Sequence, residues 1–310
     1  GLKGMTKPRT AVRGNTIGSL AMLLAVVATL LHRDVVSWTA VLIAIAVGSA
    51  VGVVMAKRVQ MTSMPQLVAM FNGLGGGASF LIAGAYLAGK EHASGISLGT
   101  EGIDVLIATA ASGLIGAVTL TGSLVAYGKL EELKFIRDFN APWQKPANLV
   151  LTVACIGLCV LMVCYPAWAG VSYWAMVLLA MALGILLVVS IGGADMPVVI
   201  ALLNSYSGIA ASATGFVLNN TLLIIAGSLV GASGIILTRI MCTAMNRSLW
   251  AVLFGTLQAK GKSTTSDDIY KNVKATSPEE VALMLEVAER VLIVPGYGMA
   301  VAQAQHAVRD

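Results

Sequence analysis

The sequence predicts an all-α polytopic membrane bundle of about eight transmembrane helices, followed by the beginning of a Rossmann-like α/β domain. Three observations predict it. Of 310 residues, 57% are hydrophobic and only 11% charged, against about 25% charge in a soluble domain. The apolar residues gather in runs close to the ~20 residues that cross a bilayer. After Arg247 the composition turns polar, and a β-branched run then leads into a glycine turn. The net charge of +5 is no nucleic-acid signal, because the basic residues lie between apolar runs, where they mark topology.

The expected crossings are Thr16–Leu31, Trp38–Met55, Pro65–Leu87, Ile103–Tyr127, Leu149–Trp168, Tyr173–Ile191, Pro197–Phe216 and Thr221–Met241. The first is the shortest. If eight helices alternate, Lys3, Lys7, Arg9, Arg13, Lys57, Arg58, Lys129, Lys134, Arg137, Lys145, Arg239 and Arg247 share one side. The other side offers only Arg33 and Lys90. The positive-inside rule then puts both ends of this stretch in the cytoplasm. The chain opens Gly-Leu-Lys-Gly-Met, with no initiator Met and no signal-peptide pattern, and closes in what reads as mid-helix; both ends are expected to be cut. Cys155, Cys159, Cys164 and Cys242 read as small hydrophobes in apolar runs. No His cluster accompanies them, so no metal site is expected.

Three regions follow: a transmembrane domain over 1–245, a linker over 246–276 and a nucleotide-domain start over 277–310. The linker includes the polar run Gly261–Asp268. Ser277, Pro278 and Glu280 stand at the N-cap, N1 and N3 positions of a capping box. The helix that follows places Val281, Leu285 and Ala288 on one face. Val291–Val294 reads as a buried strand. Gly296 then permits a tight turn and Gly298 a close backbone approach to a pyrophosphate. Val301 stands where the fingerprint wants a third glycine, and the residue that separates NAD from NADP would come later.

Two helices carry a repeat. Met64-Pro65 is followed by Ala69, Asn72 and Gly76, and Met196-Pro197 by Ala201, Asn204 and Gly208, at identical spacings. Gly122-Ser123-Leu124-Val125 echoes Gly227-Ser228-Leu229-Val230. This is the signature of a duplicated hairpin about an axis near the membrane normal. Both Asn residues stand ~10 Å inside their helices, and Ser123 is at similar depth on a helix running back. Asp195 sits at the mouth of the seventh segment. Amides in hydrocarbon face a bundle interior or a wet cavity; the alternative is interhelical glue with no transport role. The glycines, including the Gly227–Gly231 GxxxG, read first as close packing.

Several strings together resemble the beta subunit of proton-translocating nicotinamide nucleotide transhydrogenases: Gly192-Gly193-Ala194-Asp195-Met196-Pro197-Val198-Val199, Leu203-Asn204-Ser205-Tyr206-Ser207-Gly208, Ala244-Met245-Asn246-Arg247-Ser248 and Pro295-Gly296-Tyr297-Gly298-Met299-Ala300-Val301 onward. The resemblance implies hydride transfer from NADH to NADP⁺ coupled to proton movement across the bacterial inner membrane. It implies NADP(H) bound by the C-terminal domain, with Gly296, Tyr297, Gly298, Met299, Ala300 and Val301 at its opening, and NAD(H) on a separate alpha subunit. It implies a homodimer of alpha–beta units, and no catalytic residue within this stretch. Carried over singly, Asn204, Asp195 and Ser123 match family positions on the proton path. Asn72 stands where some members have His, so the titrating group must come from elsewhere or the path must run on water. Asp195 and Arg247 are the expected coupling residues, although Arg247 equally suits a plain positive-inside anchor. A secondary transporter and a packing-only membrane anchor are the alternatives from other classes.

Overall fold

The computed structural model describes residues 8–30, 37–59, 63–94, 102–133, 136, 141, 143–254, 277–294, 296, 299 and 304–309. Lys3, Lys7, His32, Arg33, Lys134, Arg137, the run Gly261–Asp268, Pro295, Tyr297, Gly298, Ala300 and Val301 lie outside the described residues, as do the side chains of Lys90 and His92.

Residues 1–59 and 60–310 form two compact units. The first holds α1 (Pro8–Leu30) and α2 (Trp38–Arg58). In α1 the hydroxyls of Thr16 and Ser19 donate back to the Val12 and Asn15 carbonyls. In α2 the Ser37 side chain caps the N-terminus by accepting from the Ala40 N–H, and Lys57 and Arg58 complement the dipole in the last turn.

The second unit contains α3 (Met64–Ser94), α4 (Ile103–Leu130), α5 (Gln144–Cys164), a 3₁₀ turn over Pro166–Trp168 and α6 (Ala169–Val189). A second 3₁₀ turn over Gly193–Asp195 leads into α7 (Met196–Val217) and α8 (Thr221–Ala244). Among the described residues seven helices, α2 to α8, are long and apolar enough to cross a membrane. The expected first crossing is helical as α1 but is not one of the seven. Arg9, Arg13 and Asn15 occupy the first half of that helix.

One end of the second unit carries Met64, Leu130, Gln144, Val189, Met196 and Ala244, and is called here the inner end. α4 is the hub, packed against α3, α5, α6 and α7, while α7 and α8 form the tightest hairpin. Hydrophobicity does not drive helices together in lipid, so close approach depends on small residues. A Cβ on Gly208 would lie 2.4 Å from the Gly231 nitrogen, and one on Gly234 would lie 2.7 Å from Ser205 Cα. Gly227, Gly231, Gly234, Thr238 and Cys242 form the single buried stripe of α8. Toward the outer end, Tyr173 of α6 is fully buried, with its ring against Gly84 and Gly113 and its hydroxyl donating to the Phe80 carbonyl at 2.5 Å. α5 is peripheral and buries only Gln144, Cys155 and Met162; Leu149, Val150, Val153, Ile156 and Val160 are exposed, as suits contact with lipid.

Beyond α8, residues 249–254 form a short helix, α9 (Leu249–Phe254), whose Val252 packs into the inner apolar cluster. The stretch read as linker therefore begins with a docked turn of helix. α10 (Pro278–Glu286) starts as its sequence predicts: Ser277 Oγ accepts from the Glu280 N–H at 3.2 Å. Backbone N–H and then the Ser277 hydroxyl hold the Glu279 carboxyl below its ordinary range. Val281 and Leu285 are exposed rather than packed. α11 (Gln305–Arg309) is the last helix. Val291–Val294 forms no strand and is exposed, and no strand occurs among the described residues. A strand exists by pairing, and nothing described here pairs with it.

Candidate functional site

The polar groups of the second unit meet along one buried seam between α3, α4 and α7. On α4 the seam positions are Thr109, Ser112, Gly116, Thr119 and Ser123, spaced 3, 4, 3 and 4 and so on one face; all five are buried. α3 contributes Asn72, Gly73, Gly75, Gly76 and Ser79, and α7 contributes Asn204, Ser207 and Thr214. The glycines of α3 bring the three backbones together. A Cβ on Gly73 would lie 3.1 Å from Ser123 Cβ, one on Gly75 2.7 Å from Ser207 Oγ, and one on Gly76 2.7 Å from the Gly116 carbonyl oxygen.

Of the sequence-predicted residues, Asn72 and Ser123 lie on the inner half of this seam, and Asn204 follows one turn after the Ile200 carbonyl that Asn72 reaches. Asn72 is buried, and its Nδ2 donates to the Ile200 carbonyl at 3.2 Å, one helical turn before Asn204. α3 and α7 run in the same direction there, because the contacts advance along both chains from Asn72–Ile200 to Gly75–Ser207. Asn204 lies between these two contact points on α7 and is half-buried. Ser123 is fully buried beside Gly73, and its Oγ has no hydrogen-bond partner among the described residues. An unpaired hydroxyl costs ~1–3 kcal/mol when buried in protein, so its retention here calls for a reason other than packing.

Asp195 stands apart from this layer, at the inner mouth. It closes the 3₁₀ turn ahead of α7, where its negative charge complements the helix dipole. Its Oδ2 accepts from Arg247 Nη1 at 2.7 Å. Its Oδ1 is buried without a partner among the described residues. Arg247 is delivered by the end of α8. Asn246 takes φ 51°, and the Arg247 N–H reaches back to the Cys242 carbonyl at 2.9 Å, a Schellman cap.

Residues that sequence reasoning did not select complete the site. Lys129 was read only as a topology marker; its Nζ donates to the Val189 and Ile191 carbonyls at 2.6 and 2.7 Å. It fastens the end of α6 and the start of the turn that bears Asp195, a favourable place for a cation. Gln66 Nε2 donates to the Leu130 carbonyl. Deeper in, Ser79, Ser112, Thr119 and Thr214 extend the seam outward; the 3-4 spacing on α4 is a sequence signal for Ser112 and Thr119 alone. The duplicated hairpin holds for its first helices only. Gly76 meets Gly116, not Gly122, whereas Gly208 meets Gly227 and Gly231. Ser123 is buried, but Ser228 is exposed and paired with Ser212 Oγ at 3.0 Å. The cause is length: α3 has 31 residues and α7 has 22, so the partner helices enter at different heights.

Of the expected nucleotide contacts, Gly296 and Met299 are described, and the Met299 N–H donates to the Gly296 carbonyl at 3.1 Å. A Cβ on Gly296 would meet nothing within 4 Å. Cys155 and Cys242 are buried, Cys159 Sγ lies 3.2 Å from Met176 Sδ and Cys164 is exposed; no cluster of three or more His, Cys, Asp or Glu that could hold a metal ion occurs among the described residues.

Membrane-length helices around a buried polar seam, with an ion pair at one mouth, define a polytopic α-helical membrane protein with a built interior. Comparison with known proteins narrows this. The family model for the NAD(P) transhydrogenase beta subunit matches residues 1–310. The chain is 45% identical over 312 residues to the NAD(P) transhydrogenase subunit beta of Rhodospirillum rubrum, covering all of this chain and 67% of that protein. A second, strain-assigned sequence from the same organism gives the same figures. The chain belongs to the NAD(P) transhydrogenase beta-subunit family.

Proposed function

We propose that this chain is the membrane, proton-translocating part of a transhydrogenase that couples hydride transfer from NADH to NADP⁺ to proton movement, and that the seam between α3, α4 and α7 is its proton route. The observation that carries this reading is the inner polar layer. An Asn reaches across to the neighbouring helix one turn before a second Asn, and a buried hydroxyl beside it has no partner among the described residues. Asn and Ser do not titrate near neutral pH, but they donate and accept, so they hold and orient water along which a proton moves. The Asp195–Arg247 pair is the coupling point, because it joins the start of α7 to the segment leaving α8 toward the C-terminal region.

In this reading NADP(H) is bound by the domain that starts near Ser277. NAD(H) is held by an alpha-subunit partner, two alpha–beta units form a dimer, and the basic inner end faces the cytoplasm of a bacterium. Coupling requires that the two states of the route be favoured unequally by what binds the head. Family membership sets aside the secondary-transporter and anchor alternatives. The test is Asn204→Leu in the complete alpha–beta complex. Pumping and coupled hydride transfer are expected to fall together by roughly tenfold or more, the scale of losing one proton-handling group. Undiminished pumping would remove Asn204 from the route.

A further inference from the structure

The outer half of the seam contains a hydroxyl knot tied from three helices. Ser112 of α4 donates to the Ser79 carbonyl of α3 at 3.1 Å, and its Oγ lies 2.8 Å from Thr214 Oγ1 of α7. Thr214 Oγ1 also lies 2.9 Å from the Ala210 carbonyl. Ser112 and Thr214 are 0% and 2% exposed, so no bulk solvent satisfies them. Ser112 is unusual among the seam hydroxyls. Ser79, Thr109, Thr119 and Thr214 bond carbonyls four residues back in their own helices, as helical Ser and Thr commonly do, whereas Ser112 reaches another helix.

Proton counting shows what this does. Each hydroxyl has one O–H, yet the pair takes part in three contacts that each need a donor. Only two can be made at once. Three arrangements meet that count: Ser112 donates to the Ser79 carbonyl and Thr214 to Ser112; or Thr214 donates to the Ala210 carbonyl and Ser112 to Thr214; or each donates to its carbonyl and no hydrogen lies between the two oxygens. The first two differ by hydroxyl rotations alone and run in opposite directions.

We propose that Ser112 and Thr214 are the outer relay of the proton route, working as a reversible two-hydroxyl chain. This rests on the reading of the seam as that route. Water delivers a proton to the free lone pair of the first hydroxyl. That hydroxyl's own proton passes to the second, and the second releases its proton to water on the far side. Two protons are held before and after, one enters and one leaves, and both hydroxyls have turned over. They must rotate back before the next transfer. The layer between this knot and Asn72 is the Gly76–Gly116 approach with Thr119 against it.

The experiment compares Thr214→Val, Thr214→Ser and Ser112→Ala in the complete alpha–beta complex in sealed vesicles, with proton flux and hydride transfer recorded together and assembly checked by gel filtration. Thr214→Val keeps the shape and removes the hydroxyl. It and Ser112→Ala are expected to lose roughly tenfold or more of the pumping, while Thr214→Ser retains it. Wild-type pumping by assembled Thr214→Val or Ser112→Ala overturns the relay, as does equal loss in Thr214→Ser. Should Thr214→Val fail to assemble, Ser112→Ala decides alone. If Asn204→Leu abolishes pumping while these variants do not, the relay fails and the route stands; if none of them affects pumping, the route itself fails.

Discussion

At the scale of the residue, function and packing separate most clearly where a polar group lacks a partner. Asn72 is satisfied by the Ile200 carbonyl, so replacing it would disturb structure and route together. Ser123 is different, since its hydroxyl bonds nothing described, and removing it leaves no carbonyl orphaned. At the mouth, the position of Arg247 depends on Asn246, which holds a left-handed conformation that costs an ordinary residue about 1–2 kcal/mol. Asn246→Gly is expected to leave thermal stability of the complex nearly unchanged. Asn246→Val should lower it by about that amount and shift Arg247 away from Asp195, measured as a fall in midpoint temperature and in coupled turnover. Equal behaviour of the two variants would show that the cap does not position the pair.

At the scale of the element, glycine contacts decide which helices adhere. α7 and α8 touch backbone to backbone at Gly208, Gly227 and Gly234, whereas Gly157 of α5 has nothing within 4 Å of its Cβ position. Gly208→Ala should therefore destabilise the bundle by about 1–3 kcal/mol through forced separation, and Gly157→Ala should be neutral. Thermal unfolding in detergent checks the contrast, and equal midpoints would refute it. The helices themselves were legible in the sequence, because crossing length is a local property of an apolar run. Asn72 and Asn204 were legible as a pair because a shared spacing marks them. The register of their partner helices was not, since it depends on how far α3 overshoots α7. Nor were Lys129, Ser112 and Thr214 selected: their contacts join positions 33 to 102 residues apart, and a helical hydroxyl usually bonds its own backbone.

At the scale of the whole molecule, the account joins a basic inner end, a charged pair at the mouth and a polar seam reaching outward between greasy faces. The strand expected at Val291–Val294 does not form among the described residues, because a strand acquires its form only from neighbouring strands. Ser123→Ala tests the central claim most directly. Removing an unpaired buried hydroxyl should leave stability unchanged or slightly raised, so packing predicts no functional effect. Proton flux recorded with hydride transfer, in sealed vesicles carrying both subunits, is predicted to fall for this variant in step with coupled turnover, at unaltered thermal stability. Full-rate pumping by Ser123→Ala would contradict the seam as the path of the proton.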